Sequence, residues 1–274
     1  MRTPPHCAPD TGASAYVGDD WLLYVDAAGD YTCSEMAAPC VLLGEPGQSV
    51  RVQDAHGHTL ACAPAVLHAA GSASTSSQRD IGTAFLYWDP LSPAGRALTR
   101  LCATQRVQPW DETALPAWEP DWFDALRYGS ADRDAVIAWV ARMRSALLAR
   151  APATDADWRL RAVAALLRQD LSCRLSVGQL ADRAHWSPEH LRKAFREAAG
   201  MSLSRYQMWS RLHRLIDAEG TDLRHAGAVF NAEASLLEAG FYDASHGCRA
   251  VRRYFGLTAG ATLQPGIRRA SCRG

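Results

Sequence analysis

The chain lacks the features that mark membrane and exported proteins. None of its apolar runs is long enough to span a bilayer, although 48% of the 274 residues are hydrophobic. Residues 1–20 contain no apolar signal-peptide core and are expected to form a partly disordered lead-in. The eight cysteines include no CxxC pair and no clustered spacing, which favours reduced thiols in a cytoplasm. The sequence therefore predicts a cytoplasmic protein without a membrane partner.

The chain also lacks the short motifs that carry catalysis or hold a cofactor. No phosphate-binding glycine loop, nucleophile elbow or zinc-ligand spacing occurs along it. His56-Gly57-His58 is similar to the His-x-His pair of metal-binding cupins. However, no Glu follows at a suitable distance, and Gly57 fits the tip of a hairpin. We therefore expect no catalytic residue, no metal ion and no cofactor.

Lysine is almost absent, since Lys193 is the only one in the chain. The overall charge is balanced but divided unevenly along the sequence. Residues 1–150 hold 11 Lys and Arg against 17 Asp and Glu, whereas residues 151–274 hold 18 against 12. A net charge of −6 followed by +6 suits a chain whose C-terminal half meets a polyanion.

The length exceeds that of one typical domain, so we expect two. Short strands broken by turns up to residue 89 are typical of an all-β barrel or sandwich, and the chain turns helical thereafter. Within this pattern a turn is predicted at 29–30, a polar tract at 72–77 and an irregular stretch at 109–122. The predicted units are an N-terminal domain over 21–149, a linker over 150–156, a helical domain over 157–262 and a tail over 263–274.

The last helix of the N-terminal domain is predicted over 130–149, with Ser130 as its N-cap. Its apolar residues recur every three or four positions and form one stripe, made of Val136, Val140, Met143 and Leu147. The spacing resembles a coiled-coil seam, which favours a dimer interface. Packing on the chain's own barrel would need the same stripe, so both interpretations stay open.

A helix–turn–helix pattern occurs twice in the C-terminal half, and the two copies align at one constant offset. The identical pairs are Leu180/Leu236, His190/His246, Ala194/Ala250, Arg196/Arg252 and Gly200/Gly256. A tandem of small helical modules, each ending at a Gly, is typical of proteins that lay two helices into successive turns of a DNA major groove.

The second helix of the first module divides into an apolar and a charged face. Leu191 and Phe195 lie four residues apart and are expected to pack on the preceding helix. This orientation turns a set of charged side chains outward, namely Glu189, Arg192, Lys193 and Arg196. Arg and Lys donate to guanine edges or to phosphates, and Glu accepts from cytosine, so the face suits groove readout.

At these residues the chain resembles the DNA-binding domain of the AraC/XylS family of bacterial transcription regulators. The resemblance covers about 155–262. It is carried by Leu180-Ala181-Asp182-Arg183-Ala184, by Ser187-Pro188-Glu189-His190-Leu191-Arg192-Lys193-Ala194-Phe195-Arg196, by Gly200-Met201-Ser202 and Tyr206, and by Arg211-Leu212, Ala239-Gly240-Phe241, Ser245-His246 and Arg252-Arg253-Tyr254-Phe255-Gly256.

The resemblance implies recognition helices over 188–199 and 244–255. It implies base-facing side chains at Glu189, Arg192 and Lys193 in the first helix, and at Ala244, Ser245, His246 and Arg249 in the second. The chain departs from the family at Gly247, where an aromatic is usual, and at Val251, where a Phe is usual. We therefore expect the second module to be the weaker one and to act mainly as an anchor.

The resemblance also implies an α+β multidomain fold. A cupin-like N-terminal β-barrel with helices would precede an all-α domain of two helix–turn–helix modules joined by a long helix. The barrel would bind an effector or mediate dimerisation. The side chains expected near a pocket, with core positions as the alternative, are Tyr24, His68, Tyr87 and Trp88.

The sequence thus predicts a sequence-specific regulator that is not an enzyme. Its expected partners are double-stranded DNA, a second copy of the chain, a small-molecule effector and RNA polymerase. Effector binding would bias DNA affinity by favouring one of two states. Two alternatives stay open: a cupin-type metal-dependent enzyme fused to a DNA-binding module, and a dimeric DNA-binding protein without a ligand.

Overall fold

The structure is a computed structural model. It describes residues 13–26, 29–33, 35–78, 81–110, 113, 115–169, 175–222, 232–255 and 268–272. A sheet-rich region comes first and helices follow it, as the sequence predicts. The strands are β1 (Ser14–Val17), β2 (Trp21–Asp26), β3 (Gly29–Cys33), β4 (Cys40–Gly44), β5 (Val50–Gln53), β6 (Thr59–Ala63), β7 (Ala65–His68), β8 (Ser74–Gln78), β9 (Thr83–Trp88), β10 (Val107–Trp110) and β11 (Arg268–Ser271).

The strands form two sheets that do not close into the predicted barrel. Seven strands pair in the order β10-β7-β4-β9-β2-β1-β11, and four pair in the order β3-β8-β5-β6. Strand β9 lies between β4 and β2, and all six of its side chains are buried. A strand buried on both faces carries apolar residues at consecutive positions, which explains why this segment shows no alternation.

Two segments predicted to lie outside the domains belong to the large sheet. Ser14–Val17, placed in the disordered lead-in, forms the buried strand β1 and pairs antiparallel with β2. Residues 268–271, placed in the tail, form β11 and pair in parallel with β1. The two strands come from opposite ends of the sequence, so no local pattern predicts this pairing.

Three further predictions in this half are corrected. Gly29 and Asp30, predicted as a turn, begin β3, and the polar tract at 72–77 contributes most of β8, its pairing partner. The stretch at 109–122, predicted as irregular, contains the end of β10 and the start of the second helix. Strands β3 and β8 are short and largely polar, so cross-strand pairing rather than apolar alternation specifies them.

Three helices cover one face of the large sheet: α1 (Pro93–Leu101), α2 (Pro120–Arg127) and α3 (Arg133–Arg150). Helix α3 begins two residues later than an N-cap at Ser130 would allow, because the carboxylate of Asp132 accepts from the N–H of Ala135. The stripe on α3 is fully buried in the core that the sheet and α1 share. The stripe therefore packs within the chain and is not available as a dimer seam.

The C-terminal half contains α4 (Trp158–Gln169), α5 (Val177–Arg183), α6 (Pro188–Ala199), α7 (Leu203–Asp222), α8 (Ala232–Glu238) and α9 (Ala244–Phe255). Helices α5 and α6 form the first predicted module, α8 and α9 form the second, and the 20-residue α7 joins them. The core of this half is continuous with the second face of the large sheet. The C-terminal half therefore lies directly on the sheet region.

Candidate nucleic-acid interface and interdomain contacts

Helix α6 has the local signals that the sequence predicts at both ends. The hydroxyl of Ser187 accepts from the N–H of His190 at 3.1 Å, and Pro188 occupies the first turn. At the other end Gly200 adopts a left-handed conformation with φ 68°, which ends the helix. A Cβ at Gly200 would meet the methyl group of Thr99 on α1 at 2.8 Å, so the glycine also permits close packing on the N-terminal half.

The predicted division of α6 into two faces is confirmed. Leu191 and Phe195 are fully buried, whereas the charged set Glu189, Arg192, Lys193 and Arg196 is exposed. Within the described part of the chain these four side chains form no ion pair. Three cations and one carboxylate on a rigid helix are thus free to meet a polyanion.

The second module repeats this construction. The carboxylate of Asp243 accepts from the N–H of His246 at 2.6 Å, as the Ser187 hydroxyl does for His190. Each histidine also packs its ring on a nearby aromatic, at 4.8 Å from Trp186 for His190 and at 5.6 Å from Phe241 for His246. The repeat therefore extends to the packing around each N-cap, which the sequence pattern does not reveal.

The predicted base-facing residues of α9 are not equally accessible. Ser245 and Arg249 are exposed, whereas Ala244 and His246 are half-buried. The Nδ1 atom of His246 is buried and has no hydrogen-bond partner among the described residues. The imidazole therefore faces partly into its own module. Its ring packs against Phe241, and this contact turns it away from the surface.

Gly247 has a packing reason that the sequence does not show. The residue is buried, and a Cβ there would lie 2.5 Å from Cδ2 of Leu236, a fully buried side chain of α8. Glycine thus allows α8 and α9 to approach closely. A glycine inside a helix costs about 1 kcal/mol relative to alanine, and the close packing of α8 on α9 offsets this cost.

A polar network around the buried Asp89 joins α4 and α7 to the sheet region. Asp89, which follows β9, accepts from the hydroxyl of Tyr206 at 2.8 Å and from Arg168 at 2.9 Å. Its other oxygen accepts from the N–H of Leu91 at 2.8 Å. Tyr206 packs edge-on against Phe195, the core residue of α6, at 5.3 Å between centroids. One carboxylate of the N-terminal half thus contacts Tyr206, which packs against the buried face of α6.

Glu35 makes the corresponding contact with the second module. Its carboxylate lies 3.0 Å from Arg253 on α9 and 3.0 Å from Arg205 on α7. Partial burial acts to raise the pKa of Glu35, but the hydrogen bond and charge of Arg253 together with Arg205 outweigh it and lower the pKa. Arg253 lies one turn beyond Arg249, so a cation next to the predicted DNA-facing stripe is engaged by an acidic residue of the other half.

A small apolar cavity lies where the sheet meets α7 and α9. Its lining consists of Leu22, Tyr24, Tyr31, Phe85, Tyr87, Ile216 and Phe255. Two of the four predicted pocket residues, Tyr24 and Tyr87, are among them. Trp88 faces the opposite core, next to α1 and α3, because successive residues of β9 point to opposite faces of the sheet.

The fourth predicted pocket residue, His68, lies away from this lining. It is fully buried on β7, and within the described chain neither ring nitrogen has a hydrogen-bond partner. Burial alone lowers the pKa of His68 to about 4, so the ring is neutral at physiological pH. His68 is thus a core residue rather than a pocket residue.

The residues of the cavity and of the interdomain network that sequence reasoning missed come from three places. Three of them lie on strands: Leu22, Tyr31 and Phe85. The pattern of apolar residues in a short strand does not distinguish a cavity wall from a packed core. Ile216 and Phe255 belong to the C-terminal half, and their helical spacing predicts only packing within that half. Asp89 was missed because it stands in a loop without a recognisable motif.

The His-x-His segment forms the hairpin tip that the sequence predicts. Gly57 has φ 84°, and Asp54 accepts from the N–H groups of His56 and His58. Both imidazoles belong to the exposed loop, with 6.1 Å between their centroids. Among the described residues no group of three or more metal-ligating side chains occurs. No described helix is long and apolar enough to cross a membrane.

Comparison with solved structures shows that the chain has the two-domain fold of ToxT from Vibrio cholerae. An apo structure of a ToxT variant from strain SCE256 matches with a TM-score of 0.57 and 13% identity, over 90% of this chain and 98% of that one. ToxT from strain O395 bound to (E)-4-(8-methylnaphthalen-1-yl)but-3-enoic acid matches with a TM-score of 0.59 and 10% identity, over 90% and 100%. Unsaturated fatty acid-bound ToxT from strain SCE256 matches with a TM-score of 0.53 and 13% identity, over 89% and 95%.

At such identity the likeness concerns the fold alone. No family model matches the chain, and no curated protein matches it.

Proposed function

We propose that this chain is a transcription regulator of the AraC/XylS type that binds double-stranded DNA sequence-specifically in the cytoplasm. The observation that carries the proposal is the pair of twelve-residue helices α6 and α9. Each follows a short helix and a tight turn, each has a side-chain N-cap, and each exposes cations. A capped helix behind a turn, with its apolar face buried and its charged face free, has the geometry of a major-groove reader.

The two modules contribute unequally under this proposal. Helix α6 offers Arg192 and Lys193 to bases or phosphates, with Glu189 as an acceptor and Arg196 as a further cation. Helix α9 offers Ser245 and Arg249, while His246 is half-buried. The first module therefore supplies most of the sequence information, and the second adds affinity through backbone contacts.

The N-terminal half is proposed to sense a small molecule. Support comes from the cavity at the boundary between the halves, and from the ToxT structures with an organic acid or an unsaturated fatty acid bound. We also propose that the regulator acts as a homodimer and reaches RNA polymerase from its operator. Because the α3 stripe is buried within the chain, the dimer contact would use another surface.

The test begins with the selection of a duplex from random DNA, followed by fluorescence anisotropy of the full chain over a salt series. Arg192→Ala is expected to cost about 1–3 kcal/mol on the selected duplex and to relax one base position. Lys193→Ala is expected to lower the salt slope by about one where it contacts a phosphate. Arg142→Ala, an exposed arginine on the far helix α3, is the matched control and should change neither quantity.

Equal affinity of the wild-type chain for the selected and random duplexes would refute sequence-specific binding. If both α6 variants bind like the wild type, α6 is not the recognition helix. Base-by-base substitution of the operator then measures the two modules separately. Penalties of about 1–3 kcal/mol should fall under α6, with smaller ones a helical turn away.

A further inference from the structure

The cavity between the halves is closed by a side chain of the second recognition helix. Phe255, the last residue of α9, lies against the ring of Tyr87 on β9 with 5.3 Å between centroids. We propose that this cavity receives a neutral, apolar small molecule and that the ligand and Phe255 exclude each other. Ligand binding then releases α9 from the sheet region. This inference rests on the proposed function and specifies how the sensor acts.

The walls of the cavity determine the ligand class. All seven described lining residues are aliphatic or aromatic, and none of them carries a positive charge. The hydroxyls of Tyr24 and Tyr31 both donate to the same carboxylate oxygen of Asp26, at 2.9 and 3.0 Å. A buried anionic ligand would need a paired cation, and none of the seven described lining residues supplies one. A neutral molecule with aromatic or aliphatic surface fits these walls.

The cavity is too small for an aromatic ligand unless a lining side chain moves. The cavity measures about 20 Å³, and a single water molecule needs about 10–15 Å³. A dry cavity that holds benzene measures about 150 Å³. An apolar ligand of the size of one aromatic ring therefore enters only after a lining side chain has left.

Phe255 is the lining residue that can leave at the least cost to the rest of the fold. Ile216 lies in the middle of α7, where Trp209 and Leu212 are also buried and the imidazole of His213 hydrogen-bonds the carbonyls of Gly18 and Trp21. Five of the lining residues are sheet residues. Phe255, in contrast, ends a twelve-residue helix that contacts the N-terminal half through β3.

Polar contacts with Glu35 also hold the same end of α9 to the sheet region. Arg253 donates to the carboxylate of Glu35 at 3.0 Å, and the carbonyl of Arg253 accepts from the N–H of Glu35 at 3.3 Å. The Arg253 side chain is 56% exposed, so the ion pair is weak by itself. The contact of α9 with the sheet region thus depends mainly on the burial of Phe255, with modest polar support. A ligand that fills the same space can replace the buried Phe255 side chain.

The experiment uses the full chain without DNA and two probes that share one ring system. These are 2-naphthol, which is neutral, and 2-naphthoate, which is its anionic counterpart. Isothermal titration should show that 2-naphthol binds the wild type at least tenfold more tightly than 2-naphthoate. Phe255→Ala, which removes the competing ring, should tighten 2-naphthol binding at least tenfold. Phe255→Leu retains an apolar side chain at the site and should give a smaller increase.

Glu35→Gln provides a second variant that leaves the core intact. It weakens the contact to Arg253 and should tighten 2-naphthol binding about two- to fivefold. Glu119→Gln removes the same charge from the exposed start of α2 and should leave binding unchanged. Hydrogen exchange over 244–255 should rise when saturating 2-naphthol is added to the wild type, because the released helix loses its contacts with β3.

Equal binding of the two probes would overturn the ligand class. A Phe255→Ala chain that binds 2-naphthol no better than the wild type, or an exchange rate over 244–255 that falls with ligand, would overturn mutual exclusion. None of these readouts involves DNA. If the ligand experiments fail, the DNA-binding proposal still has its own anisotropy test. If the anisotropy test fails, the ligand-binding results can still be interpreted.

Discussion

The network around Asp89 leads to a quantitative prediction about how the halves are held together. An asparagine amide has one oxygen, so in Asp89→Asn keeping it for the N–H of Leu91 turns the amide NH2, a donor, towards Tyr206 and Arg168 and deletes both of their hydrogen bonds. The Tyr206 hydroxyl is buried, and a hydrogen bond from such a donor to a charged acceptor contributes about 1.5–3 kcal/mol. Arg168 is 47% exposed, so solvent screens its ion pair to at most about 1 kcal/mol.

The expected loss for Asp89→Asn is therefore about 2–4 kcal/mol in the free energy of unfolding. Tyr206→Phe removes the same hydrogen bond from the other side and should cost about 1–3 kcal/mol. Because both variants delete one shared bond, the double variant should cost less than the sum, with a coupling energy of about 1–2 kcal/mol.

Urea unfolding followed by circular dichroism and by tryptophan fluorescence measures these energies, and coincident curves justify a two-state treatment. Asp124→Asn on the exposed side of α2 and Tyr242→Phe, whose side chain is 88% exposed, are the matched controls. Costs that simply add, with a coupling no larger than that of distant and independent sites, would show that Asp89 and Tyr206 do not act as one unit. The reasoning about the interdomain network would then be wrong.

Three further variants test buried groups elsewhere. Burial lowers the pKa of His68 to about 4, so the free energy of unfolding should fall as the pH drops from 6.5 towards 4 and the unfolded chain takes up a proton. His68→Leu should remove this loss, measured as the urea midpoint at each pH. Gly247→Ala should lower the unfolding free energy by about 1 kcal/mol through contact with α8, whereas Gly178→Ala, in the open α5, should raise it by about 0.5–1 kcal/mol. Burial, with the nearby Asp26 carboxylate, raises the pKa of Tyr31, so stability present below pH 10 should be lost above it, and Tyr31→Phe should reduce that loss in thermal midpoints.

The sequence predicts the helices of the C-terminal half well because their signals are local. The N-cap at Ser187, the left-handed Gly200 and the four-residue spacing of Leu191 and Phe195 all act within one or two helical turns. The structure reproduces each of them. The repeat supplies a second, independent copy of the same signals, which is why both modules were predicted although their charged residues differ.

The sheet region is harder to predict because its pairing is long-range. Strand β1 depends on β11 at the far end of the sequence, and β3 and β8 are polar strands that gain their conformation from each other. The part of the cavity wall that the C-terminal half supplies was missed for a related reason. Phe255 looks like an ordinary core position of α9 in sequence, and only the docking of the two halves places it against Tyr87.

Tyr87 at the end of β9 and Asp89 just after it contact residues that belong to α9 or pack behind α6, and this has a consequence for release. Tyr87 contacts Phe255 of α9, and Asp89, two residues later, holds Tyr206 behind α6. A ligand that replaces Phe255 acts on the first contact and leaves the second in place, since Asp89 and Tyr206 do not line the cavity. We therefore expect saturating 2-naphthol to raise hydrogen exchange in α9 while α6 keeps its protection. Asp89→Asn should have the opposite effect, with faster exchange in α6 and unchanged 2-naphthol affinity. If the ligand loosens both helices equally, the two contacts are coupled through β9, and the modules are released together rather than one at a time.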